Sequence, residues 1–233
     1  MHAIAAIDIH KSYRRGATVT PVLTGVDFRV EPGESVFLVG PSGSGKSTLL
    51  SILGCLLTAD SGRLEIFGQD VNRLTARSRS ELRLRKIGFV FQRFNLIQGL
   101  TAIDNVAVPL RLCGWSAGRA WRRAAELLDA VGLADQARAR PGCMSAGQCQ
   151  RVAIARSLVL QPELILADEP TASLDADSGQ EVMALFRSLI RQQGVTAVVV
   201  THDPRIFVYA DRVCEMADGQ VRSREQPSES GGR

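Results

Sequence analysis

Lysine is nearly absent from this 233-residue sequence. It stands only at Lys11, Lys46 and Lys86, so a formal charge of +4 and a pI near 9.0 rest almost wholly on arginine. That excess is modest. A chain that grips nucleic acid gathers its cations on one face. Here they are scattered, apart from Arg77, Arg79, Arg83, Arg85 and Lys86, and no nucleic-acid partner is expected. Long apolar runs are missing too: none approaches the roughly 18 residues that a membrane span needs. The start, Met1-His2-Ala3-Ile4, lacks the basic region and apolar core of a signal peptide. Any membrane role is therefore expected to come through another chain. Paired cysteine spacing is also lacking. Five cysteines stand at 55, 113, 143, 149 and 214, and Cys143 and Cys149 have no histidine nearby. Zinc is disfavoured, and reduced thiols of a cytosolic protein are the expectation.

What remains is 45% hydrophobic and 22% charged, with both signs mixed, enough to bury one substantial core with a smaller appended lobe. Alternation such as Ile7-Asp8-Ile9 and Val26-Asp27-Phe28 over 4–30 predicts antiparallel strands with one wet face. Ser35-Val36-Phe37-Leu38-Val39 predicts a short buried strand, and a helix is expected from Lys46 to about Leu57. A strand over 63–67, helix over 76–85 and strand over 87–90 follow. From Thr101 to about Leu160 the pattern is mostly helical, opened by a Thr101-x-x-Asp104 cap and punctuated by Gly132. Strand and helix then alternate: 164–167, 177–193, 198–200, and a hairpin about Asp218-Gly219. Beyond about Arg222 the composition predicts a frayed tail.

Two segments carry chemistry. Gly40-Pro41-Ser42-Gly43-Ser44-Gly45-Lys46-Ser47 fits G-x-x-x-x-G-K-[ST] in full and is followed by Thr48. Its glycines let backbone N–H groups turn inward on phosphate oxygens. Lys46 is placed for the β and γ phosphates, and the Ser47 hydroxyl for Mg²⁺. The following helix offers its positive end to the same anion. A strand before and a helix after meet the context that a chance glycine-serine linker lacks. Second, Leu164-Ile165-Leu166-Ala167 runs into Asp168-Glu169. Two carboxylates ending a buried strand are costly unless they meet a cation or do chemistry. Asp168 is placed to hold Mg²⁺ through water, opposite Ser47, and Glu169 to take a proton from, or polarise, an attacking water.

With these residues in order, the sequence resembles an ABC-transporter ATPase subunit over about residues 4–221. The resemblance implies ATP and Mg²⁺ as ligands and ATP hydrolysis as the activity. It implies an α/β fold, a P-loop NTPase core with a mostly parallel sheet. An N-terminal antiparallel β-subdomain and an α-helical lobe inserted over about 93–160 are expected within a unit of 1–222, with 223–233 as tail. It implies that Tyr13 stacks on adenine, that Gln92 contacts Mg²⁺ and the lytic water, and that His202 stands near the γ-phosphate. Met144-Ser145-Ala146-Gly147-Gln148 matches the family signature and Ser173-Leu174-Asp175 the loop that crosses a dimer interface. Ser145, Ala146, Gly147, Gln148 and Asp175 are thereby implied to meet the nucleotide held by a second copy. The signature also reads physically as a second helix start able to take an anion.

Two residues depart from that pattern, Met144 where the motif begins with leucine and Ala146 where it has glycine. Alanine replaces glycine at Ala146, adding a methyl near phosphate and disfavouring φ > 0. Should the position be left-handed, closure or hydrolysis is expected to weaken. The segments Phe89–Leu96, Arg140-Pro141 and Thr201–Arg205 are most similar to the branch serving lipoprotein release, macrolide export and cell division. That implies integral membrane transporter subunits as partners and a cytoplasmic position, peripheral on the inner face of the cell membrane. Phe94, Leu96, Ile97 and Leu100 are candidates for a groove receiving a membrane-subunit helix, with plain core packing the alternative. Rival readings are a non-transport ATPase of the same family, acting in cell division or on DNA or the ribosome, and a regulatory nucleotide binder. The first lacks its coiled coil or second ATPase unit here, and the second is opposed by intact Lys46, Asp168, Glu169 and His202.

Overall fold

Short runs of β-branched and apolar residues form the central sheet of the computed structural model, which describes residues 1–223. Its parallel strands are β3 (Ser35–Val39), β6 (Ile87–Phe91), β7 (Leu164–Asp168), β8 (Thr196–Val200) and β9 (Arg212–Ala217), and β10 (Gln220–Ser223) pairs antiparallel at one edge. The spatial order is β10-β9-β3-β8-β7-β6. Every residue of β3 and β8 is buried, as expected of strands covered on both faces. Their period of two divides the core. Phe37, Val39, Ile165, Ala167, Ala197 and Val199 face one hydrophobic cluster. Val36, Leu38, Leu164, Leu166, Val198 and Val200 face the other.

The first cluster is filled by α3 (Ala102–Leu112), α4 (Ala117–Ala130), α5 (Ala146–Leu158) and α6 (Ala176–Gln192). The second is filled by α1 (Lys46–Leu53), α2 (Ala76–Lys86) and an antiparallel sheet. That sheet contains β1 (Ile4–Arg15), β2 (Thr18–Val30), β4 (Ser61–Ile66) and β5 (Gln69–Asp70), in the order β2-β1-β4-β5. Helix α3 begins at the expected Thr101 cap, whose hydroxyl accepts from Asp104 N–H. The helical lobe packs directly on the sheet: α3, α4 and α5 share one cluster with it and with α6.

Helix α1 ends at Leu53, four residues short of the sequence expectation. A Cβ on Gly54 would lie 2.6 Å from the Phe89 ring, and Cys55 at φ +55° turns the chain away. Close packing on β6 therefore stops a pattern that apolar spacing alone would extend. The tail expected over 223–233 lies outside the described residues, except that Ser223 belongs to β10.

Glu34 ties three strand ends together. Its carboxylate accepts from Arg212 Nε at 2.6 Å and Nη2 at 3.1 Å, and Nη2 also donates to Arg29 O at 2.6 Å. Burial pushes the Glu34 carboxyl up, but hydrogen bonds from Arg212 and from the Glu31 N–H, with the Arg212 charge, outweigh it and leave it below its ordinary value. Stability from ionised Glu34 is thus present above the ordinary glutamate pKa and is lost as pH falls through the lowered one. Glu34→Gln is expected to remove about 1–3 kcal/mol at pH 7, as for hydrogen bonds to charged groups. The gap to the unaltered protein should close only at a pH well below the ordinary glutamate value. Urea unfolding at both pH values checks this; a gap that is independent of pH would contradict it.

Candidate active site

Four of the chemistry-bearing segments leave the C-terminal ends of parallel strands, where open α/β sheets place their ligands. Gly40 follows β3, Gln92 follows β6, Glu169 follows β7 and His202 lies two residues after β8. Two glycines fix the loop. Gly40 sits at φ +145°, and a Cβ there would be 2.1 Å from Met216 O. Gly45 sits at φ +102°, with Leu23, Met216 and Val22 O each 2.9 Å from a Cβ. No larger residue fits either position, which sets the loop against β9 and β2. Helix α1 then starts at Lys46 with no side-chain cap, so its first N–H groups are left for a ligand.

The cavity above this loop has a volume of about 630 Å³, a size typical of small-molecule sites. Its wall includes Gly40, Pro41, Ser42, Gly43, Gly45, Lys46, Ser47 and Thr48, and from the other strands Gln92, Glu169 and His202. Lys46 Nζ donates to Gly40 O at 2.9 Å and Pro41 O at 2.8 Å, which uses two of its three donors. Ser44 is not on the wall; its hydroxyl is buried without a hydrogen-bond partner. Ser47 Oγ donates to Asp168 Oδ1 at 3.0 Å, joining residues 121 apart in sequence. Burial raises the Asp168 carboxyl, and the Glu169 charge adds to this, while the Ser47 hydrogen bond and Lys46 oppose it. The Ser47 hydroxyl, the Glu169 carboxylate and the Gln92 amide oxygen on the wall, with Asp168 off the wall but bonded to Ser47, form the hard-oxygen donor set that suits Mg²⁺.

Glu169 is held in a conformation that L residues avoid, at φ +47°. Such strain costs on the order of 1–3 kcal/mol and persists where the surroundings enforce it. Here Glu169 N–H donates to Val200 O at 2.9 Å. Its Oε1 pairs with His202 Nδ1 at 2.8 Å, and its Oε2 accepts from His202 N–H at 3.4 Å. The result aims the carboxylate across the sheet top toward the cavity. Behind it, Gln150 of α5 donates from Nε2 to Pro170 O at 2.7 Å. Ser173 Oγ donates to Gln92 O at 3.0 Å, linking the next turn to the Gln92 loop.

The other expected residues lie elsewhere on the chain. Ser145 caps α5, accepting from Gln148 N–H while the Gln148 side chain accepts from Ser145 N–H. Ser145 and Ala146 are exposed, and neither they nor Gly147 and Gln148 line the cavity. Asp175 caps α6 by accepting from Ser178 N–H at 3.0 Å, which holds its carboxyl below the usual range. Tyr13 is 47% exposed on β1 opposite Thr20, and it too is off the cavity wall. The backbone cost expected at Ala146 does not arise. Ala146 is the first residue of α5 and is not among the positive-φ residues, so alanine suits it.

The four apolar candidates after Gln92 do not share a groove. Leu96 is buried, Phe94 packs against the core, Ile97 is exposed, and Leu100 lines a separate cavity with Trp121. Asn105 causes this by accepting from Ile97 N–H and donating to the carbonyls of Ile97, Leu100 and Thr101. A different cavity of about 380 Å³ opens between α2, β6 and the end of α5, with Leu56, Arg83, Leu84, Phe89, Phe91 and Arg156 on its wall. Sequence reasoning also missed Val22, which borders the phosphate cavity, because a half-buried valine in an alternating strand carries no signal. Gln150 and Arg156 were equally silent, since helical spacing says nothing of which carbonyl a long side chain reaches.

Residues 23–172 match the family model described as "ABC transporter". A Thermotoga maritima protein described as "Uncharacterized ABC transporter ATP-binding protein" is 46% identical over 94% of this chain and 94% of its own length. The macrolide export ATP-binding/permease proteins MacB of Syntrophobacter fumaroxidans and Escherichia coli K12 are 46% and 47% identical over 95% and 92% of this chain. The chain spans only 31% and 33% of their lengths. Among solved structures, the dimeric post-hydrolysis state of the ATP-binding cassette MJ0796, bound to ADP and Pi, superposes with a TM-score of 0.89. It is 40% identical and covers 96% of this chain and 98% of its own. CbiO1 of Clostridium perfringens, part of the transporter complex cbiONQ, gives 0.86 at 28% identity, over 98% and 90%.

Proposed function

The chain belongs to the ABC transporter family and is one of its ATP-hydrolysing cassettes, and on that footing we propose how its residues divide the work. The observation that carries the reading is the meeting of the 40–48 loop, Gln92, Glu169 and His202 on one cavity beside the Ser47–Asp168 pair. The loop N–H groups and Lys46 hold the ATP phosphates and stabilise charge on the transferring phosphoryl group. Glu169 takes the proton from the water that attacks the γ-phosphorus in line. His202 holds the Glu169 carboxylate and reaches the γ-phosphate, and Gln92 orients the water. Ser47, Gln92 and Asp168 would hold Mg²⁺, which when bound offsets charge on the β and γ phosphate oxygens. Tyr13 stacks on adenine, a role supported by its place in the family pattern alone.

The remaining expected residues serve a second copy. Ser145, Ala146, Gly147, Gln148 and Asp175 are off their own chain's cavity, yet Ser145 begins a helix whose N–H groups suit a phosphate. Two chains packed head to tail would each complete the other's site, a reading that the dimeric MJ0796 cassette supports. The unit over 1–222, with its 93–160 helical stretch, then works as half of an ATP-driven clamp.

Among the described residues no helix is long and apolar enough to cross a membrane. We assign the membrane-spanning work to partner subunits seated in the 380 Å³ cavity, with the ATPase on the cytoplasmic face. The MacB relatives, named for macrolide export and carrying a permease, favour an efflux or lipoprotein-release system. Affinity purification from detergent-solubilised membranes of the source cell tests this. An integral membrane protein should co-purify, and Leu84→Glu or Phe89→Glu in the cavity wall should reduce its yield at least about tenfold, as for the loss of a buried hot spot. Recovery of ribosomes or DNA-bound complexes alone would overturn it.

A further inference from the structure

Helix α5 is capped by Ser145 and ends beneath the loop that carries Gln92. Near its C-terminal end the half-buried Arg156 donates from Nη1 to Asn95 O at 2.6 Å and from Nη2 to Phe94 O at 2.7 Å. Both carbonyls belong to residues in the left-handed region, Phe94 at φ +59° and Asn95 at φ +48°. Asparagine tolerates that region, but phenylalanine does not, and two such residues in succession need an external hold. A guanidinium supplies it, because its donors form a rigid planar fork that matches two carbonyls pointing the same way. Burial lowers the Arg156 pKa, and the two carbonyl dipoles meet the desolvated charge.

The loop is fixed on its other sides as well. Ser173 Oγ grips Gln92 O, and Asn105 grips the stretch from Ile97 to Thr101. Between these two anchors, the Phe94-Asn95 turn is the piece that decides how far Gln92 projects, and Arg156 is its support. We propose that Arg156 is a positioning residue for ATP hydrolysis: by clamping the Phe94 and Asn95 carbonyls it sets where the Gln92 amide stands in the nucleotide cavity. The proposal rests on the role given above to Gln92. It also gives α5 two duties, since the helix that presents Ser145 outward steadies the Gln92 loop of its own chain. Arg156 and Asn95 further line the 380 Å³ cavity, so an occupant of that cavity touches the clamp directly.

A double-mutant cycle on the purified chain tests the assignment, with Arg156→Lys chosen because it keeps the charge and the aliphatic stem. Lysine presents a single point donor group and cannot bridge two carbonyls as a planar fork. Arg156→Lys should lower kcat about tenfold with KM for ATP within about twofold, and Arg156→Ala should be worse, if it folds. In a Gln92→Ala background the same lysine change should lower kcat by less than about twofold, because the residue it positions is gone. A full tenfold loss in that background would overturn the proposal and leave the role of Gln92 standing. So would an Arg156→Lys effect confined to KM or to the melting temperature. Unaltered kcat in Gln92→Ala alone would instead sink the role of Gln92 and the proposal with it.

Discussion

Glu169→Gln is expected to lower kcat at least about 100-fold while ATP binds within about threefold of its original affinity, the pattern of a lost general base. The two side chains have the same shape, so the φ +47° backbone and the Glu169 N–H bond to Val200 O stay in place. What disappears is the charge that pairs with His202 Nδ1 and the lone pair that would take the water's proton. Lys46, the loop N–H groups and the Ser47–Asp168 pair are untouched, so the phosphates keep their partners. ATP that binds and is not cleaved should hold two chains together. The measurement is turnover beside molar mass by light scattering, with ATP and Mg²⁺ present. Near-normal hydrolysis would remove Glu169 from its role, and a monomer that binds ATP without hydrolysing it would remove the second copy.

How much of this was legible beforehand follows from what each feature depends on. The Gly40–Ser47 loop is local chemistry: glycine spacing, a lysine and a hydroxyl between a strand and a helix, all readable in order. The Ser47–Asp168 contact is long-range, yet it was legible because each residue ends a strand or begins a helix of recognisable kind. The left-handed turns at Glu169, Phe94 and Asn95 were not, since none of these is glycine and the conformation is imposed by partners distant in sequence. The early end of α1 escaped for a similar reason: the Phe89 ring that crowds Gly54 arrives from another strand. Which of the apolar residues after Gln92 turn inward was not legible either, because they look alike in sequence while the buried Asn105 side chain decides it.

Ser145→Asp is expected to abolish turnover without harming the fold or the chain's own nucleotide affinity. Aspartate ranks with serine as a helix N-cap and can accept the same Gln148 N–H, and its charge suits the positive end of α5. The melting temperature should therefore hold within a degree or two, given how closely the two caps compare. Ser145 is exposed and lies off the 630 Å³ cavity, so ATP titration of the monomer should shift by less than about twofold. In the proposed head-to-tail pair, however, the new carboxylate would face the γ-phosphate of the second copy and meet like charge. At about 4 Å and an effective dielectric near 20, that repulsion is about 4 kcal/mol, roughly a thousandfold in closure. In the Glu169→Gln background, Ser145→Asp should thus erase the ATP-dependent dimer. Loss of monomer affinity would place Ser145 at its own chain's nucleotide. Survival of both dimer and turnover would take the 145–148 segment away from phosphate altogether.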